Sequence, residues 1–142
     1  MLGNMAPETM EPRSWHAHYD EGVPVDLVFE DITLNEYTER AAKTWGDRPA
    51  LTFLNCSFSY NELNDKVRRC AAALRGLGVE KGTRVAIQLP NIPQAIIAFH
   101  GALRAGAEVV MTNPLYTLRE IEHQWKDADC DLAIVADFIW EE

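Results

Sequence analysis

Residues 84–122, RVAIQLPNIPQAIIAFHGALRAGAEVVMTNPLYTLREIE, determine the fold that we predict for this chain. They contain a strand pattern, a Pro-Asn turn, an apolar helix that ends at Ala-Gly, a second strand pattern, an Asn-Pro turn and the start of another helix. This order is typical of a right-handed βαβ unit, from which covered parallel sheets are built. We therefore predict an α/β fold, the N-terminal portion of a doubly wound, mainly parallel sheet domain with βαβ crossovers.

Three short apolar runs, at residues 85–89, 108–112 and 132–136, are the predicted parallel strands. None shows the alternation of a half-exposed strand, so we expect both faces of the sheet to be covered. Residues 92–104 are apolar nearly all round and predict a deeply buried helix. Gly101 and its neighbouring alanines are expected to let this helix approach the sheet closely.

Three further helices are predicted from one start signal, the capping box, in which a Ser or Thr hydroxyl and a Glu three residues later satisfy free backbone N–H groups. The boxes pair Thr33 with Glu36, Ser59 with Glu62, and Thr117 with Glu120. Apolar residues follow each box at helical spacing, and we predict that all three stripes pack into the core. The stripes are Leu34, Tyr37, Ala41 and Trp45; Leu63, Val67, Cys70, Ala71 and Leu74; and Leu118, Ile121, Trp125 and Ala128.

A small hairpin is predicted where residues 50–54 and 58–60 flank a turn at residues 55–57. For the parallel sheet, we expect two crossovers in one direction, which places both crossover helices on the same face. The other face and the sheet edges then lack cover, and an uncovered edge promotes aggregation. We therefore expect the sequence to be the opening part of a longer domain.

The composition bounds the class of protein. The chain has 142 residues, 47% of them hydrophobic and 25% charged, which is typical of one globular domain. Its net charge is −9, with 22 acids against 13 bases, so we expect no nucleic-acid partner, because phosphate contacts need clustered Lys and Arg. The one basic cluster, Lys66, Arg68 and Arg69, lies among acids and is interpreted as a solvated helix face.

The three cysteines, Cys56, Cys70 and Cys130, are odd in number and lack C-x-x-C spacing, which favours free thiols in a reducing compartment. Cys70 lies on an apolar helix face and is expected to be buried and structural. No apolar run approaches the roughly 18 residues of a membrane span, and the N-terminus lacks a signal-peptide pattern. We therefore expect a cytoplasmic protein.

No residue is assigned a catalytic, cofactor-binding or metal-binding role. Gly76, Gly78 and Gly82 follow a helix and precede a strand, the reverse of a dinucleotide-binding loop, so they are predicted to be turn glycines. The sequence contains neither a Walker loop nor a G-x-S-x-G elbow. The remaining titratable candidates are interpreted as satisfied or surface residues: His16, His18, His100, His123, Glu120 and Glu122.

One positional argument points to a site. Ligands of open parallel sheets bind beyond the carboxyl ends of the strands. Those ends are predicted near Asn91, Asn113 and Asp137. Asn113 and Tyr116 are therefore the candidates to line a ligand site, although Asn-Pro is also a plain turn former.

Two long passages carry a family resemblance. Residues 58–91, FSYNELNDKVRRCAAALRGLGVEKGTRVAIQLPN, are similar to a passage of the form T-[FY]-x-E-L, helix, G-V-x-K-G-D-R-V-A. Residues 103–124, LRAGAEVVMTNPLYTLREIEHQ, are similar to L-K-A-G-A-V-V-V-x-x-N-P-x-Y-T-x-x-E-L, with departures at Thr83 in the first passage and Glu108 in the second. Both passages belong to the acyl-adenylate-forming (AMP-binding) ligase superfamily, which the chain resembles. The segment between Trp15 and Pro24 resembles the leader of its long- and medium-chain fatty acyl-CoA ligase branch.

The resemblance implies a two-step ligase. A carboxylate attacks the α-phosphate of ATP, with Mg²⁺, to give an acyl-adenylate and pyrophosphate, and coenzyme A then displaces AMP. The resemblance also implies that residues 15–142 are the incomplete N-terminal part of the large AMP-binding domain. Residues 1–14 contain two prolines and three methionines without periodicity and are interpreted as a disordered leader or a cloning scar. The family's phosphate loop, adenylate motifs and C-terminal lysine have no match here, so we predict that this segment supplies scaffold and is inactive alone.

Alternatives within and outside the superfamily stay open. An aryl-CoA ligase or an acyl-AMP ligase is the near alternative, and a non-catalytic interaction or dimerisation module is the distant one. Fatty acid, ATP and coenzyme A are the implied partners of the full-length family member. A peripheral membrane contact and a homodimer are left open.

Overall fold

The computed structural model describes residues 13–27 and 29–137, and it divides into two units, Met1–Asp31 and Ile32–Glu142. The first unit contains a 3-10 helix at Ser14–His18, in which Nδ1 of His16 accepts the Arg13 backbone N–H at 3.2 Å. This local bond from the backbone to a side chain closes the turn. The predicted leader lies mostly outside the described residues.

The second unit contains, among its described residues, four α-helices and five strands. In chain order they are α1 (Leu34–Trp45), β1 (Pro49–Phe53), β2 (Cys56–Ser59), α2 (Tyr60–Gly76), β3 (Arg84–Gln88), α3 (Pro93–Ala105), β4 (Glu108–Met111), α4 (Leu118–Asp127) and β5 (Leu132–Val135). Strands β1 and β2 form an antiparallel hairpin, while β4, β3 and β5 form a parallel sheet in that order. The predicted α/β fold with βαβ crossovers is confirmed.

The strand order corrects one part of the prediction. Strand β3 lies between β4 and β5, so the two crossovers run in opposite directions across the sheet. Right-handed crossovers in opposite directions place α3 and α4 on opposite faces, which is the doubly wound arrangement. The expectation that both crossover helices share one face is wrong, because strand patterns give the order along the chain and not the order in the sheet.

The central strand β3 is the most deeply buried part of the sheet. Val85, Ala86 and Ile87 are 0% exposed, and Gln88 is 2% exposed, whereas the flanking strands β4 and β5 contain exposed positions. The core next to β3 is built largely from small and aliphatic residues of α2 and α3, namely Ala71, Leu74, Ala98, Ala102 and Ala105. The prediction of a strand covered on both faces therefore holds for β3 and only partly for its neighbours.

Helix α3 approaches α2 closely at Gly101. A Cβ at this position would lie 2.6 Å from Sγ and 2.8 Å from Cβ of Cys70, closer than real Cβ atoms come. The close approach was predicted, but toward the sheet, because small residues indicate a tight contact without indicating the neighbour. Ile96 is 36% exposed, so the expectation that α3 is buried all round is also wrong.

The three predicted capping boxes all form. At the first, the Glu36 N–H donates to Oγ1 of Thr33 at 3.2 Å, and the Thr33 N–H donates to Oε2 of Glu36 at 2.7 Å. The boxes of α2 and α4 repeat this exchange. The stripe of α2 is buried at Val67, Ala71 and Leu74, as predicted.

The apolar stripe of α1 does not pack into the core as predicted. Leu34, Tyr37 and Trp45 are 52%, 43% and 44% exposed, and Ala42 is the buried residue of this helix. The opposite face of α1 turns inward, where Nδ2 of Asn35 donates to the backbone carbonyl of Leu103 in α3. Spacing identified the helix correctly but not the face that its neighbours cover.

Helix α4 has no buried residue, so its predicted core stripe is only partly realised: Leu118 is 77% exposed, and Trp125 is half-buried.

The hairpin turn lies at Leu54 and Asn55, one residue earlier than predicted, because Cys56 and Ser57 already pair in β2.

Candidate functional site

The carboxyl edge of the parallel sheet is the first candidate site. Ile87 aligns with Met111 across β3 and β4, and Gln88 aligns with Val135 across β3 and β5, so the three strands end at the same edge. The chain leaves β3 for α3 on one face and leaves the adjacent β4 for α4 on the other. The strand order reverses at β3, so the topological switch point lies between β3 and β5 on this carboxyl edge, where open α/β sheets bind their ligands.

The loop after β4 carries both predicted site residues at this carboxyl edge. Oδ1 of Asn113 accepts the Leu115 N–H at 3.0 Å, and the Asn113 carbonyl accepts the Tyr116 N–H at 3.1 Å. The Asn113 side-chain oxygen is therefore committed to the turn, as the plain interpretation of Asn-Pro predicted. Tyr116 is 38% exposed, and its hydroxyl makes no hydrogen bond with a described residue.

Gln88 is a polar residue beneath this edge that the sequence interpretation missed. It is the last residue of β3 and is 2% exposed, yet its Nε2 finds no hydrogen-bond partner within residues 13–27 and 29–137. Buried amides are nearly always hydrogen-bonded, so this donor marks a place where a further group belongs. The sequence signal that could have identified this residue is a single glutamine within the apolar run VAIQL.

The other buried polar residue at this edge is satisfied. Thr112 is 3% exposed, and its Oγ1 accepts the indole N–H of Trp125 at 2.9 Å. Nε2 of Gln124 donates to the Met111 carbonyl at 3.1 Å. These two bonds hold α4 against the end of β4 and thereby fix the base of the loop that carries Tyr116.

The opposite, amino end of the sheet is held by Arg84. Its guanidinium contacts Oε2 of Glu108 at 3.3 Å and Oδ2 of Asp129 at 3.2 Å, and its backbone N–H donates to Oδ2 of Asp131 at 2.8 Å. Glu108 and then Asp129 raise the pKa of Arg84 above its ordinary value. Glu108, one of the two departures from the family pattern, therefore serves as an ion-pair partner that ties β4 to β3.

The remaining titratable groups of residues 13–27 and 29–137 do not form a catalytic arrangement. Burial raises the pKa of Cys70 and, first among several causes, of Cys130, which disfavours the reactive thiolate. Cys70 was predicted to be buried, but it is only partly buried and packs against the core cluster. Glu120 is held by the Thr117 cap and Glu122 by Lys126, so each carboxylate has its own partner.

His100 differs from its prediction as a satisfied or surface histidine. It is half-buried in α3, and its Nδ1 has no hydrogen-bond partner among the described residues. Burial, followed by the charge of Arg104, lowers the pKa of His100 below its ordinary value. The folded chain therefore favours the neutral imidazole.

The carboxyl edge of the parallel sheet offers groups that can bind a ligand rather than groups that can react with it. Its donors are the Gln88 amide and the Tyr116 hydroxyl, and its exposed apolar surface comes from Met111, Leu115 and Leu118. Within the described residues, no group of three or more His, Cys, Asp or Glu side chains could hold a metal ion. None of the helices in this part of the chain combines the length and apolar character that crossing a membrane requires.

The fold is that of a doubly wound α/β protein, and the carboxyl edge of its parallel sheet is the candidate ligand site. Residues 38–142 match the family model described as AMP-binding enzyme, which covers well over half of the chain. The chain therefore belongs to the AMP-binding enzyme family, and the predicted superfamily is confirmed.

Curated relatives agree with the predicted branch. The chain is 35% identical over 128 residues to a long-chain-fatty-acid–CoA ligase of Bacillus subtilis and 40% identical over 127 residues to one of Yersinia pestis. These matches cover 90% and 87% of this chain but 23% of each relative. A salicyl-AMP ligase / salicyl-S-ArCP synthetase of Mycobacterium tuberculosis is 39% identical over 107 residues, covering 75% of this chain and 18% of the relative.

A solved structure shows the same fold. The apo structure of Mycobacterium smegmatis MbtA superposes with a TM-score of 0.73 at 37% sequence identity. The match covers 76% of this chain and 20% of that protein. The chain thus spans about a quarter or less of the proteins that it matches.

Proposed function

We propose that residues 15–142 are the N-terminal part of the large domain of a fatty acid–CoA ligase. The observation that carries this proposal is the 35–40% identity to long-chain-fatty-acid–CoA ligases over nearly nine-tenths of the chain. The whole protein would join a fatty acid to ATP, releasing pyrophosphate, and would then transfer the acyl group from AMP to the thiol of coenzyme A. Adenylation gives the carboxylate a good leaving group, so the thiol attack becomes favourable.

In that reaction, this chain holds the carboxyl edge of the sheet and the loop of Tyr116 in position. The core around β3 holds the carboxyl edge, and the bonds from α4 to Thr112 and Met111 fix the loop of Tyr116. The Gln88 amide and the Tyr116 hydroxyl are then available to a further segment of the protein or to a ligand at the edge. Within the described residues, no cluster of three or more His, Cys, Asp or Glu side chains could hold a metal ion. We therefore assign Mg²⁺ to no residue of this chain.

The test is a substrate panel with the full-length gene product that carries this chain. We expect ATP-dependent pyrophosphate release and acyl-CoA formation with medium- and long-chain fatty acids. Benzoate and salicylate serve as matched aromatic acids. Turnover confined to the aromatic acids would contradict the fatty-acid assignment, and absence of turnover with every acid would contradict the ligase assignment.

An aryl-acid adenylating enzyme is the second candidate. The 39% identity to a salicyl-AMP ligase and the fold shared with MbtA favour it. The same panel separates the two, because an aryl-acid enzyme would release pyrophosphate with salicylate and not with a fatty acid. A non-catalytic interaction module is the third candidate. If it is correct, the full-length gene product releases no pyrophosphate with any of these acids.

We also propose a cytoplasmic location. The described cysteines, Cys56, Cys70 and Cys130, are unpaired, as expected in a reducing compartment. A homodimer and a peripheral membrane contact stay predictions of the family resemblance. Gel filtration and vesicle flotation of the full-length gene product would measure them.

A further inference from the structure

A polar cleft of about 860 Å³ lies between α1 and α2, with Arg104 of α3 in its wall. We call it the α1–α2 cleft. Its volume falls within the range of small-molecule sites, roughly 300–1,000 Å³. It lies away from the carboxyl edge of the sheet, and no contact used in the proposed ligase function belongs to it.

The cleft carries a charge opposite to that of the chain. Lys43, Arg68, Arg75 and Arg104 line it, and Glu39 is the one acid in its lining. The whole sequence has 13 basic residues against 22 acidic ones. A concave surface lined by one sign of charge concentrates the field and attracts counter-charged ligands, so this cleft favours anions.

The positive wall is held in place by a network of hydrogen bonds. The Arg104 side chain is 13% exposed; its Nη1 donates to Oδ1 of Asn64 at 2.9 Å, and its Nη2 pairs with Glu39. This ion pair neutralises Glu39 and Arg104 together, so the net positive charge of the cleft comes from Lys43, Arg68 and Arg75. A buried, paired guanidinium is a fixed part of the wall and not a mobile surface charge.

The negative end of α3 is also neutralised. The last carbonyls of a helix carry partial negative charge, which would weaken an anion site. Here the Leu103 carbonyl accepts Nδ2 of Asn35 at 3.2 Å, and the Arg104 carbonyl accepts Nη2 of Arg75 at 2.5 Å. The cleft therefore keeps its positive character up to the end of α3.

Two cations of the cleft remain available. Neither the Lys43 nor the Arg68 side chain makes a hydrogen bond or ion pair with another residue of the described ranges 13–27 and 29–137. We propose that the α1–α2 cleft binds a small phosphate-bearing molecule, with Lys43 and Arg68 as its phosphate contacts. Guanidinium and ammonium groups are the side chains best suited to phosphate. Arg68 is exposed, as predicted for a solvated helix face, and its side chain is therefore accessible to a ligand in the cleft.

The chain offers a matched pair for the test. Arg68 and Arg69 are adjacent on α2, but Arg68 lines the α1–α2 cleft and Arg69 lines a different groove, beside Phe58. Removing either changes the net charge by the same amount. If Arg68→Ala weakens phosphate binding more than Arg69→Ala does, the difference is therefore due to the position of Arg68 in the cleft and not to the change in net charge.

The experiment is a calorimetric titration of the 142-residue chain with pyrophosphate at fixed ionic strength, after circular dichroism has shown that each variant is folded. We expect saturable binding that is weakened about tenfold by Arg68→Ala and by Lys43→Ala, and less than twofold by Arg69→Ala. Arg68→Lys should retain most of the affinity, since the positive charge remains.

Three results would overturn the proposal. The first is a folded chain that shows no saturable heat with millimolar pyrophosphate. The second is an equal loss of affinity in Arg68→Ala and Arg69→Ala, which would indicate non-specific attraction. The third is binding to phosphatidylserine vesicles without binding to pyrophosphate, which would assign the cleft to a membrane surface.

Discussion

At the scale of single residues, Gly101 sets the distance between α2 and α3. The added methyl of Gly101→Ala would overlap Sγ and Cβ of Cys70, at 2.6 and 2.8 Å. We expect this substitution to lower the free energy of unfolding by about 1–3 kcal/mol, the range for overpacked cores. Urea denaturation followed by circular dichroism measures the change.

Gly76 is the matched control, because it ends α2 and a Cβ there would meet no atom within 4 Å. Gly76→Ala should be neutral or should stabilise the chain by up to about 1 kcal/mol, through lower entropy of the unfolded state. Equal effects of the two substitutions would show that α2 and α3 are not in close contact at Gly101.

His100 gives the chain a pH-dependent stability. Burial and Arg104 lower the pKa of His100 from its ordinary value of 6.5, so the folded chain favours the neutral imidazole. Below about pH 6.5 the unfolded chain binds the proton more readily, so unfolding becomes easier. This contribution to stability should be complete above pH 6.5 and should be lost as the pH falls through the pKa of the folded state.

Urea midpoints at pH 7, 6 and 5 measure this effect, with His100→Leu as the comparison. The midpoint of the unmodified chain should fall over this interval more steeply than that of His100→Leu. The capping carboxylates Glu36 and Glu120 also have lowered pKa values, but their contribution is lost only below about pH 4.5. Parallel pH profiles between pH 7 and 5 would contradict the assignment to His100.

At the scale of the elements, the capping boxes are the strongest link from sequence to structure. Ser59 ends β2 and caps α2, the helix that packs on both α1 and α3. Ser59→Ala removes the acceptor for the Glu62 N–H and should cost about 1 kcal/mol of unfolding free energy. Chemical denaturation checks the value.

Ser57→Ala is the control for the cap, since Ser57 lies two residues earlier on the exposed part of the same strand. A change within about 0.5 kcal/mol is expected there, as for most surface positions. A loss at Ser57 as large as that at Ser59 would mean that the hairpin, and not the cap, determines the stability of this region.

The helices and strands also show which features sequence patterns can predict and which they cannot. Capping boxes, turn glycines and strand runs depend on neighbours in the chain, so their positions could be predicted to within a residue or two. The exposed stripe at Tyr37 and Trp45 and the partner of Gly101 depend on packing between distant segments. A helical period identifies an apolar face but cannot show which neighbour, if any, covers it.

At the scale of the whole molecule, the order β4-β3-β5 was the main fact that the sequence could not provide. Right-handed crossovers then follow from general rules, and the reversal of strand order places the switch point between β3 and β5. Asn113 and Tyr116 were predicted for this edge by position alone. Gln88 was missed, because its importance comes from burial without a partner, which only the folded structure shows.

The central claim is that this chain positions the parts of a fatty acid–CoA ligase without performing its chemistry. The most direct measurement is pyrophosphate release by the purified 142-residue chain with ATP, Mg²⁺ and a panel of fatty acids, beside the full-length gene product under the same conditions. We predict release by the full-length gene product and none above background by the chain alone. Fatty-acid-dependent turnover by the chain alone would contradict the claim.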